Sequence, residues 1–458
     1  MDHQEEVPDA LRLEHSQIGV RTETTPLSGC HPFGEGGEPA VLWNGMARMS
    51  RTTGESDARL VRVEAHWSPD ARISWAVDLK DADIDEERAW RPPAEDSQTL
   101  VLAEEGEAHR LPVFVRNKGD GWSNGAEFGG SEPLIRVLAH WINLPDFARG
   151  TWLVRSSDRY SWLGRTDLRL DGWTLRIDSR PDLRTVYDEL KRRRTFAITH
   201  VMELRRHSGE TFTVDDAKEV LSGLHFALSY ALGRRACPAL PVGFSPEGHA
   251  TWTSWSPLNA DHPELGAQAW WPKHAIQDLE QYLQVFLAIW QDPNHHDQLR
   301  FLTSWATAAS DGTYIEPRTT IAISALEHLS WIEEVLSGDL DEESWRKKGP
   351  STQMRRLLQR AHVNLTIDKT LTPDLAEFAA ANEIADGPEA IIKVRHLLTH
   401  PKDLAGLYNA GSLIAETSRL ACRYLDLTLL HWLGYRGHIR DRTRIRGSAA
   451  LADRVPWV

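Results

Sequence analysis

An arginine and two histidines stand close together in the segment IKVRHLLTHP, residues 392–401. Arg395 carries a planar, permanently charged guanidinium that can hold phosphoryl oxygens through paired hydrogen bonds. His396 and His400 carry imidazoles, which exchange protons near neutral pH and act as general acids and bases. These groups suit the cleavage of a phosphodiester and need no metal ion. The spacing alone is weak evidence, because a chain with 20 histidines and many arginines produces such pairs by chance.

Helical geometry decides which of these side chains can meet. In a regular α-helix, residues five apart point about 140° away from each other, so Arg395 and His400 would face different ways. His396 and His400 would share one face. Pro401 disfavours helical geometry at His400, so we expect the helix to end there and leave His400 free to turn toward Arg395 or a second subunit. The alternative is that Arg395 only complements the helix dipole and His400 only caps the helix.

The periodicity of apolar residues divides the chain into a β-rich part and a helical part. Residues 59–67 and 72–79 alternate apolar and polar positions, as half-buried strands do, and similar stretches continue to about residue 212. From Thr213, a predicted N-cap, apolar residues recur at helical spacing. We therefore predict an α+β protein with a mostly antiparallel β domain, arranged as a sandwich or barrel. Helices follow it and end in an antiparallel four-helix bundle.

Four segments are predicted along the chain. They are a flexible leader at 1–38, a β-rich N-terminal domain at 39–212, a helical middle region with a short β insertion at 213–316, and a helical bundle with a basic C-terminal tail at 317–458. The predicted helical runs after the insertion, which spans about 240–255, are 274–290, 295–309, 317–337, 352–364, 372–400 and 406–433. Arg395 and the two histidines fall at the end of the third helix of the bundle.

Composition limits the class of protein. A length of 458 residues exceeds what one core usually supports, and a formal net charge of −14 argues against a protein that coats nucleic acid with its whole surface. Three separated cysteines form no disulfide framework or zinc ribbon, and phosphate-loop and dinucleotide motifs are missing, so we expect no metal and no cofactor. An acidic start and the lack of a long apolar run predict a cytoplasmic protein that does not enter a membrane.

Other residues allow a functional and a structural interpretation, of which we favour the structural one. Glu327 is expected in a surface ion pair, with a role in orienting the Arg395 motif as the alternative. His295 and His296 are expected at a helix N-terminus, not in a metal site. The basic stretches 191–194 and 436–446 are expected to be solvated, and for the second the alternative is a guide for RNA backbone. Seven tryptophans of the β region are expected in the core, not at a ligand-stacking surface: Trp67, Trp75, Trp122, Trp141, Trp152, Trp162 and Trp173.

The C-terminal part, about 317–435, resembles HEPN domains, which are small helical bundles with an Arg-x(4–6)-His motif. Arg395 and His400 match the two defining positions, and His396 matches the polar residue that often follows the arginine. The segment IAISALEHL at 321–329 is similar to the first bundle helix of HEPN proteins of the ApeA-like group. Those proteins join a β-rich N-terminal region to a HEPN domain and act in bacterial defence against phage. Over the N-terminal half, the chain resembles those proteins only in the order of its parts, with a β-rich region before the helical domain.

The resemblance implies a metal-independent RNA endonuclease in which the motifs of two protomers meet across a homodimer of the C-terminal bundle. The 2′-hydroxyl of RNA would be the nucleophile, and the product would carry a 2′,3′-cyclic phosphate. RNA, with tRNA among the candidates, would be the substrate. A phage-derived trigger would act through an N-terminal domain that senses or regulates, leading to abortive infection. The alternative is a non-catalytic recognition module whose bundle dimerises and whose β domain binds a ligand.

Overall fold

The computed structural model of the protein describes residues 26–51, 54–67, 71–77, 98–103, 108–117, 119–146, 151–155, 160–257, 260–263, 269–272, 275–310, 314–400, 402, 404–444 and 452–458. Antiparallel strands dominate the first half of the chain and helices the second, which confirms the predicted α+β class. Pro401 and residues 1–25 of the predicted leader lie outside the described residues.

The first sheet is antiparallel and closes on itself as a small barrel. Its order is β2-β1-β3-β4-β7-β6-β5, and a further pairing of β1 with β5 completes the ring. The strands are β1 (Ala40–Arg51), β2 (Gly54–Glu55), β3 (Arg59–His66), β4 (Arg72–Val77), β5 (Gln98–Ala103), β6 (Ala108–Asn117) and β7 (Asp120–Ser123). Among the described strands of this sheet, the two-residue β2 lies outside the ring and pairs with β1. Ring closure removes the free strand edges that invite aggregation.

Alternation along these strands fills the barrel with apolar side chains. Val61 and Val63 of β3 and Ile73 and Trp75 of β4 are buried, while the residues between them are intermediate or exposed. This is the period of two that the sequence pattern predicted. The second sheet adds Ile142, Ile198 and Trp255 to the same apolar cluster, so the barrel core extends to that sheet.

The second sheet is also antiparallel and has the order β10-β11-β12-β13-β9-β14-β15-β8. The strands are β8 (Ala126–Gly129), β9 (Arg136–Ile142), β10 (Thr151–Arg155), β11 (Tyr160–Leu170), β12 (Trp173–Ser179), β13 (Ile198–Arg206), β14 (Pro238–Phe244) and β15 (Ala250–Trp255). The predicted β insertion at 240–255 corresponds to β14 and β15, which extend this sheet beside β9. Sequence periodicity does not reveal such pairing, because the partner strands lie far apart in the chain.

An extended segment at 26–39 crosses the second sheet before it enters the barrel. The Leu27 amide donates to Asp178 of β12 (2.7 Å), and Arg180 donates to the carbonyl of Gly34 (3.2 Å). The Gly37 amide donates to the carbonyl of Phe196 (2.8 Å). This part of the predicted flexible leader is thus held by hydrogen bonds on several sides.

Helices form most of the remainder. They are α1 (Leu183–Arg193), α2 (Val214–Leu232), α3 (Ile276–Trp290), α4 (His296–Ser310), α5 (Ile315–Trp331), α6 (Glu342–Lys348), α7 (Pro350–Arg360), α8 (Pro373–Ala381), α9 (Gly387–Thr399), α10 (Leu404–Asn409) and α11 (Leu413–Trp432). A π-helical turn (Ile332–Leu336) extends α5, and a short hairpin pairs β16 (His438–Ile439) with β17 (Asp453–Arg454). None of the helices in the described ranges combines the length and the apolar character needed to cross a bilayer.

Two predicted long helices are each broken in two. The run predicted at 372–400 divides into α8 and α9, because Asp386 caps a new helix and Pro388 occupies its first turn. The run predicted at 406–433 divides into α10 and α11 at Gly411, whose φ of +58° is a conformation that glycine adopts without strain. Two helices, α1 and α6, were not predicted.

One continuous apolar cluster joins the second sheet to the helices. Its buried residues come from β9, β11, β12 and β13, from α2 to α5, and from α7 to α11. Trp173 of β12, Trp290 of α3 and Leu326 of α5 are examples. The helices that carry the candidate site are therefore anchored to the sheet by shared core packing.

Candidate functional site at the end of helix α9

Helix α9, which carries Arg395 and His396, is firmly held at its N-terminus. The Asp386 carboxylate accepts a hydrogen bond from the Glu389 amide (3.0 Å) and two from the Arg355 guanidinium of α7 (2.6 and 3.2 Å). Gly387 lies against α11, where a Cβ would come within 2.1 Å of the Tyr424 hydroxyl. The beginning of α9 therefore has a capped, ion-paired and closely packed position.

The other end of α9 is open to solvent. Ile391 and Val394 face the core, whereas Arg395 is half-buried and His396 and His400 are exposed. Helix α9 ends at Thr399, and His400 leaves helical geometry with φ −130° and ψ 64°. Its amide still donates to the carbonyl of His396 (2.9 Å). The predicted helix end at His400 is confirmed.

Arg395 meets Glu327 of α5 across the bundle. The nearest guanidinium nitrogen, Nη2, lies 3.5 Å from Oε2 of Glu327, and the two side chains are 29% and 22% exposed. Nε of Arg395 and Oε1 of Glu327 are both buried and have no hydrogen-bond partner among the described residues. Burial raises the pKa of Glu327, and the positive charge of Arg395 lowers it by less. This ion pair therefore retains unused hydrogen-bonding capacity on both partners.

The two histidines lie side by side. The ring centroids of His396 and His400 are 5.0 Å apart, and their planes are tilted by 55°. Thr399 does not compete with them for partners, because its hydroxyl donates back to the carbonyl of Arg395 (3.0 Å). The end of α9 thus presents two solvent-accessible imidazoles that lie against each other, whereas Arg395, one residue before His396, pairs with Glu327. Such groups can transfer protons and stabilise negative charge.

Sequence reasoning found Arg395, His396 and His400 but left the place of Glu327 open. The ion pair of Glu327 proves to be with the motif arginine itself. The anchor formed by Arg355 and Asp386 was missed. A signal for it existed, because Asp followed by Gly and Pro is a common way to begin a helix.

The other candidates have structural surroundings. Nδ1 of His295 lies 2.6 Å from Oδ2 of Asp292, and Nδ1 of His296 lies 2.8 Å from the carbonyl oxygen of Trp290. Both histidines are at the start of α4, so their predicted position at a helix N-terminus is confirmed. In the part of the chain that the structure describes, no cluster of three His, Cys, Asp or Glu residues is arranged to bind a metal ion. The stretch 191–194 ends α1 with three exposed arginines, and Arg193 pairs with Glu189 (2.8 Å), so the predicted solvated face is confirmed.

The tryptophan prediction is mostly confirmed. Five of the seven are buried: Trp67, Trp75, Trp141, Trp162 and Trp173. Trp122 is the exception, because it is 40% exposed on the outer face of the barrel and stacks on Phe114, with centroids 5.6 Å apart. The side chain of Trp152 lies outside the described residues.

The basic segment predicted as a solvated tail at 436–446 is packed over its described part, 436–444, so that interpretation was wrong. Ile439 and Arg442 are buried, and Arg442 pairs with Asp426 of α11. The segment is packed because the buried carboxylate of Asp426 in α11 binds Arg442. Sequence periodicity alone does not reveal that these two residues are partners. Arg440 and Arg444 remain exposed. Residues 445–446 lie outside the described residues.

Comparison with known proteins relates two parts of the chain to one protein. Residues 129–265 match the family model of the YopA central domain, and residues 292–451, which include the α9 site, match that of the YopA C-terminal domain. The SPbeta prophage-derived uncharacterized protein YopA of Bacillus subtilis (strain 168) is 25% identical over 303 residues, which are 65% of this chain and 67% of that protein. No solved structure matches the chain. From the second sheet to the last helix, the chain is similar to YopA in its central and C-terminal domains.

Proposed function

We propose that this protein is a metal-independent RNA endonuclease whose site consists of Arg395, His396 and His400, with Glu327 as the residue that positions Arg395. The observation that carries the proposal is the pair of exposed imidazoles, 5.0 Å apart, at the end of a helix turn that begins with Arg395, whose side chain pairs with Glu327.

The chemistry uses the nucleophile that RNA already contains. The 2′-oxygen attacks phosphorus while one imidazole accepts its proton, and the bond from phosphorus to the 5′-oxygen breaks as a second imidazole donates a proton. The products are a 2′,3′-cyclic phosphate and a 5′-hydroxyl, so atoms and charges balance. Arg395, whose side chain is 29% exposed, stabilises the negative charge on the phosphoryl oxygens.

We further propose that two copies of the chain complete the site. An in-line displacement needs the base and the acid on opposite sides of phosphorus. The imidazoles of one copy lie together at a single helix end, so both approach from the same side. A second copy, docked through the helices α5, α7, α9 and α11 as in a HEPN bundle, would supply the opposite histidine. These helices contact one another in the pairs α5–α7, α5–α9, α5–α11, α7–α9, α7–α11 and α9–α11, as a compact bundle requires.

In this proposal the two sheets sense or regulate, and cleavage serves cytoplasmic defence against phage through abortive infection. One relative is described as prophage-derived and uncharacterized, and the defence role belongs to the proposal. RNA, including tRNA, is the proposed substrate, and a phage product is the proposed trigger.

The test compares wild-type protein with His400→Ala, incubated with tRNA and total RNA in the presence of a metal chelator. Exposed His249, in the turn between β14 and β15, supplies the matched control His249→Ala. We expect wild type and the control to release fragments with 2′,3′-cyclic phosphate ends, and His400→Ala to release none. To allow for a silent resting state, the same variants are expressed in bacteria that are challenged with phage. Equal RNA decay with His400→Ala and wild type would contradict the proposal.

A mixed dimer tests the second copy. Wild-type and His400→Ala chains with different affinity tags are co-expressed, and the hetero-oligomer is purified through both tags. If each cut requires both copies, the mixed species is almost inactive. If each copy acts alone, the mixed species retains about half of the wild-type activity, and the shared site is ruled out.

A further inference from the structure

A pocket of about 180 Å³ lies where the barrel meets the second sheet, in a part of the molecule distant in sequence from the α9 site. Its walls come from the segment before β1, from β1 and β6 of the barrel, and from β8, β14 and β15 of the sheet. The lining includes one thiol and five ring-bearing side chains: Cys30, His31, Trp43, His109, Phe128 and Trp255. Rings of five residues thus surround one small space.

The rings offer faces in several orientations. Phe128 and Trp255 meet edge to face, with centroids 4.9 Å apart and planes at 81°. His109 lies 4.8 Å from Phe128 at a tilt of 54°. Aromatic and histidine rings placed in this way bind flat ring systems by stacking and by edge contacts.

The polar groups at the pocket suit a ligand that donates and accepts hydrogen bonds. They are Cys30, His31, His109 and Thr253, whereas Nε1 of Trp43 is buried beside Gly45 and does not face a ligand. Among the described residues, no carboxylate lines the pocket, and the charge that acts on Cys30 is the guanidinium of Arg136. Aromatic pockets that bind cations are expected to be electronegative, so the positive charge of Arg136 disfavours a quaternary ammonium group. This charge suits a neutral heteroaromatic ring that carries phosphate.

The volume sets the size of the ligand. A cavity of about 150 Å³ holds one benzene ring, and sites for drug-sized ligands begin at about 300 Å³. The pocket at 180 Å³ therefore fits a single base-sized ring system, with ribose and phosphate toward solvent.

We propose that this pocket binds one unstacked nucleobase, presented by a free nucleotide or by an unpaired RNA. The proposal does not depend on the nuclease function of the Arg395 site, and its test measures binding only.

Cys30 provides the readout. It is exposed and lines the pocket, whereas Cys237 and Cys422, the other cysteines of the chain, are buried. A disulfide reagent such as dithionitrobenzoate should therefore label one thiol of the native full-length protein. Although Cys30 is exposed, desolvation by the surrounding protein raises the pKa of its thiol, so labelling is followed at mildly alkaline pH, where the thiolate is populated. Cys30→Ser shows the background rate.

We expect a bound nucleotide to protect Cys30. At a concentration ten times its Kd, the ligand should slow labelling by about tenfold. The probes are the four nucleoside monophosphates, a short single-stranded RNA, ribose 5-phosphate and tetramethylammonium. Protection by a mononucleotide supports the proposal with a free nucleotide as the source, and protection by RNA alone supports it with RNA as the source. Protection by tetramethylammonium or ribose 5-phosphate to the same degree, or by none of the probes, overturns it.

Two pocket variants and one matched control guard against misfolding. Trp43→Leu and His109→Ala each remove a ring and should abolish protection. Trp122→Leu removes an exposed ring on the outer face of the same barrel and should leave protection unchanged. Thermal unfolding without ligand identifies any variant that is not folded. If one pocket variant is not folded, the protection measured with the other pocket variant tests the proposal. Full protection in a folded pocket variant contradicts the proposal.

Discussion

Two arginine–carboxylate pairs in the helical part differ in how fully they use their hydrogen bonds. Arg442 and Asp426 are both buried; Arg442 Nη2 donates to Asp426 Oδ1 (3.0 Å), Nε donates to Oδ2, and Nη1 donates to Ser310 (2.7 Å). Arg395 reaches Glu327 through one contact of 3.5 Å, and each partner keeps a buried atom without a hydrogen bond.

This difference in hydrogen bonding indicates that the two pairs contribute differently to the fold. Buried polar atoms without partners destabilise a fold, so most folded proteins pair them. The Arg442 pair is closed and holds the C-terminal segment on α11. The Arg395 pair is open, in the sense that its hydrogen bonds are incomplete, and it lies at an exposed helix end. Incomplete pairing is not confined to this site, because Oε2 of Glu334, which pairs with Arg356, also lacks a hydrogen-bond partner among the described residues. What sets the Arg395 pair apart is its position at an exposed helix end, directly before His396.

Breaking the closed pair should have the largest effect. Arg442→Met leaves the carboxylate of Asp426 buried without its cation, where burial already raises its pKa. We expect the free energy of unfolding in urea to fall by about 3–5 kcal/mol. The control is Arg346→Met, which removes an exposed pair with Glu342 and should cost at most about 0.5 kcal/mol. A similar loss in both variants would remove the distinction between the pairs.

Breaking the open pair should affect activity and leave stability nearly unchanged. Arg395→Ala removes the cation proposed to stabilise the phosphoryl oxygens, so RNA cleavage should fall by about 10²–10³-fold. Because the pair is partly exposed and incompletely bonded, the free energy of unfolding should change by less than about 1 kcal/mol. Arg395→Lys keeps the charge but loses the planar fork and should recover only part of the rate. A large loss of stability with Arg395→Ala would assign this arginine a structural role.

A substitution at the N-terminal end of α9 should lower stability and leave activity nearly unchanged, the opposite of a substitution of Arg395. Asp386→Ala removes the N-cap and the partner of Arg355, so the free energy of unfolding should fall by about 1–2 kcal/mol. The specific cleavage rate of the folded fraction should stay near that of wild type. A fall in this rate as large as that of Arg395→Ala would mean that the two ends of α9 are coupled.

Glu327→Gln should have the smallest effect on stability, with a sign that depends on pH. Because the pKa of Glu327 is raised in the folded protein, ionised Glu327 disfavours folding. This penalty is missing below the unfolded pKa and grows as pH rises toward the folded pKa, so the variant should gain stability relative to wild type across that window. Denaturation at several pH values measures the trend. Cleavage should fall by about tenfold, because Arg395 loses its orienting charge. A variant that loses relative stability as pH rises would contradict the assigned cause.

Elements set by local chemistry could be predicted from the sequence. Thr213 and Asp216 form a capping box, with hydrogen bonds of 2.9 and 3.1 Å, at the helix start expected there. The bounds of α3 and α4 lie within two residues of the predicted runs. Asp386 and Pro388 also indicate the break before α9, whereas the apolar periodicity on its own predicts one continuous helix.

Contacts between distant residues could not be predicted in this way. The pairing of β14 with β9, the closure of β1 on β5 and the approach of Glu327 to Arg395 all join residues far apart in the chain. They depend on how whole faces pack, and each face has several chemically acceptable partners. The three motif residues were therefore accessible from sequence, whereas the state of their hydrogen bonds needed the structure.

The shared core limits how this protein can be divided in the laboratory. Between the two regions that match YopA domains lies α3, whose buried face packs on α2, on α4 and on β11 of the second sheet. A fragment that begins at residue 292 would lose α3 and the sheet, and would expose the apolar surfaces that they cover. We expect such a fragment to aggregate. Modular exchange of the helical part between relatives should therefore carry the preceding sheet with it.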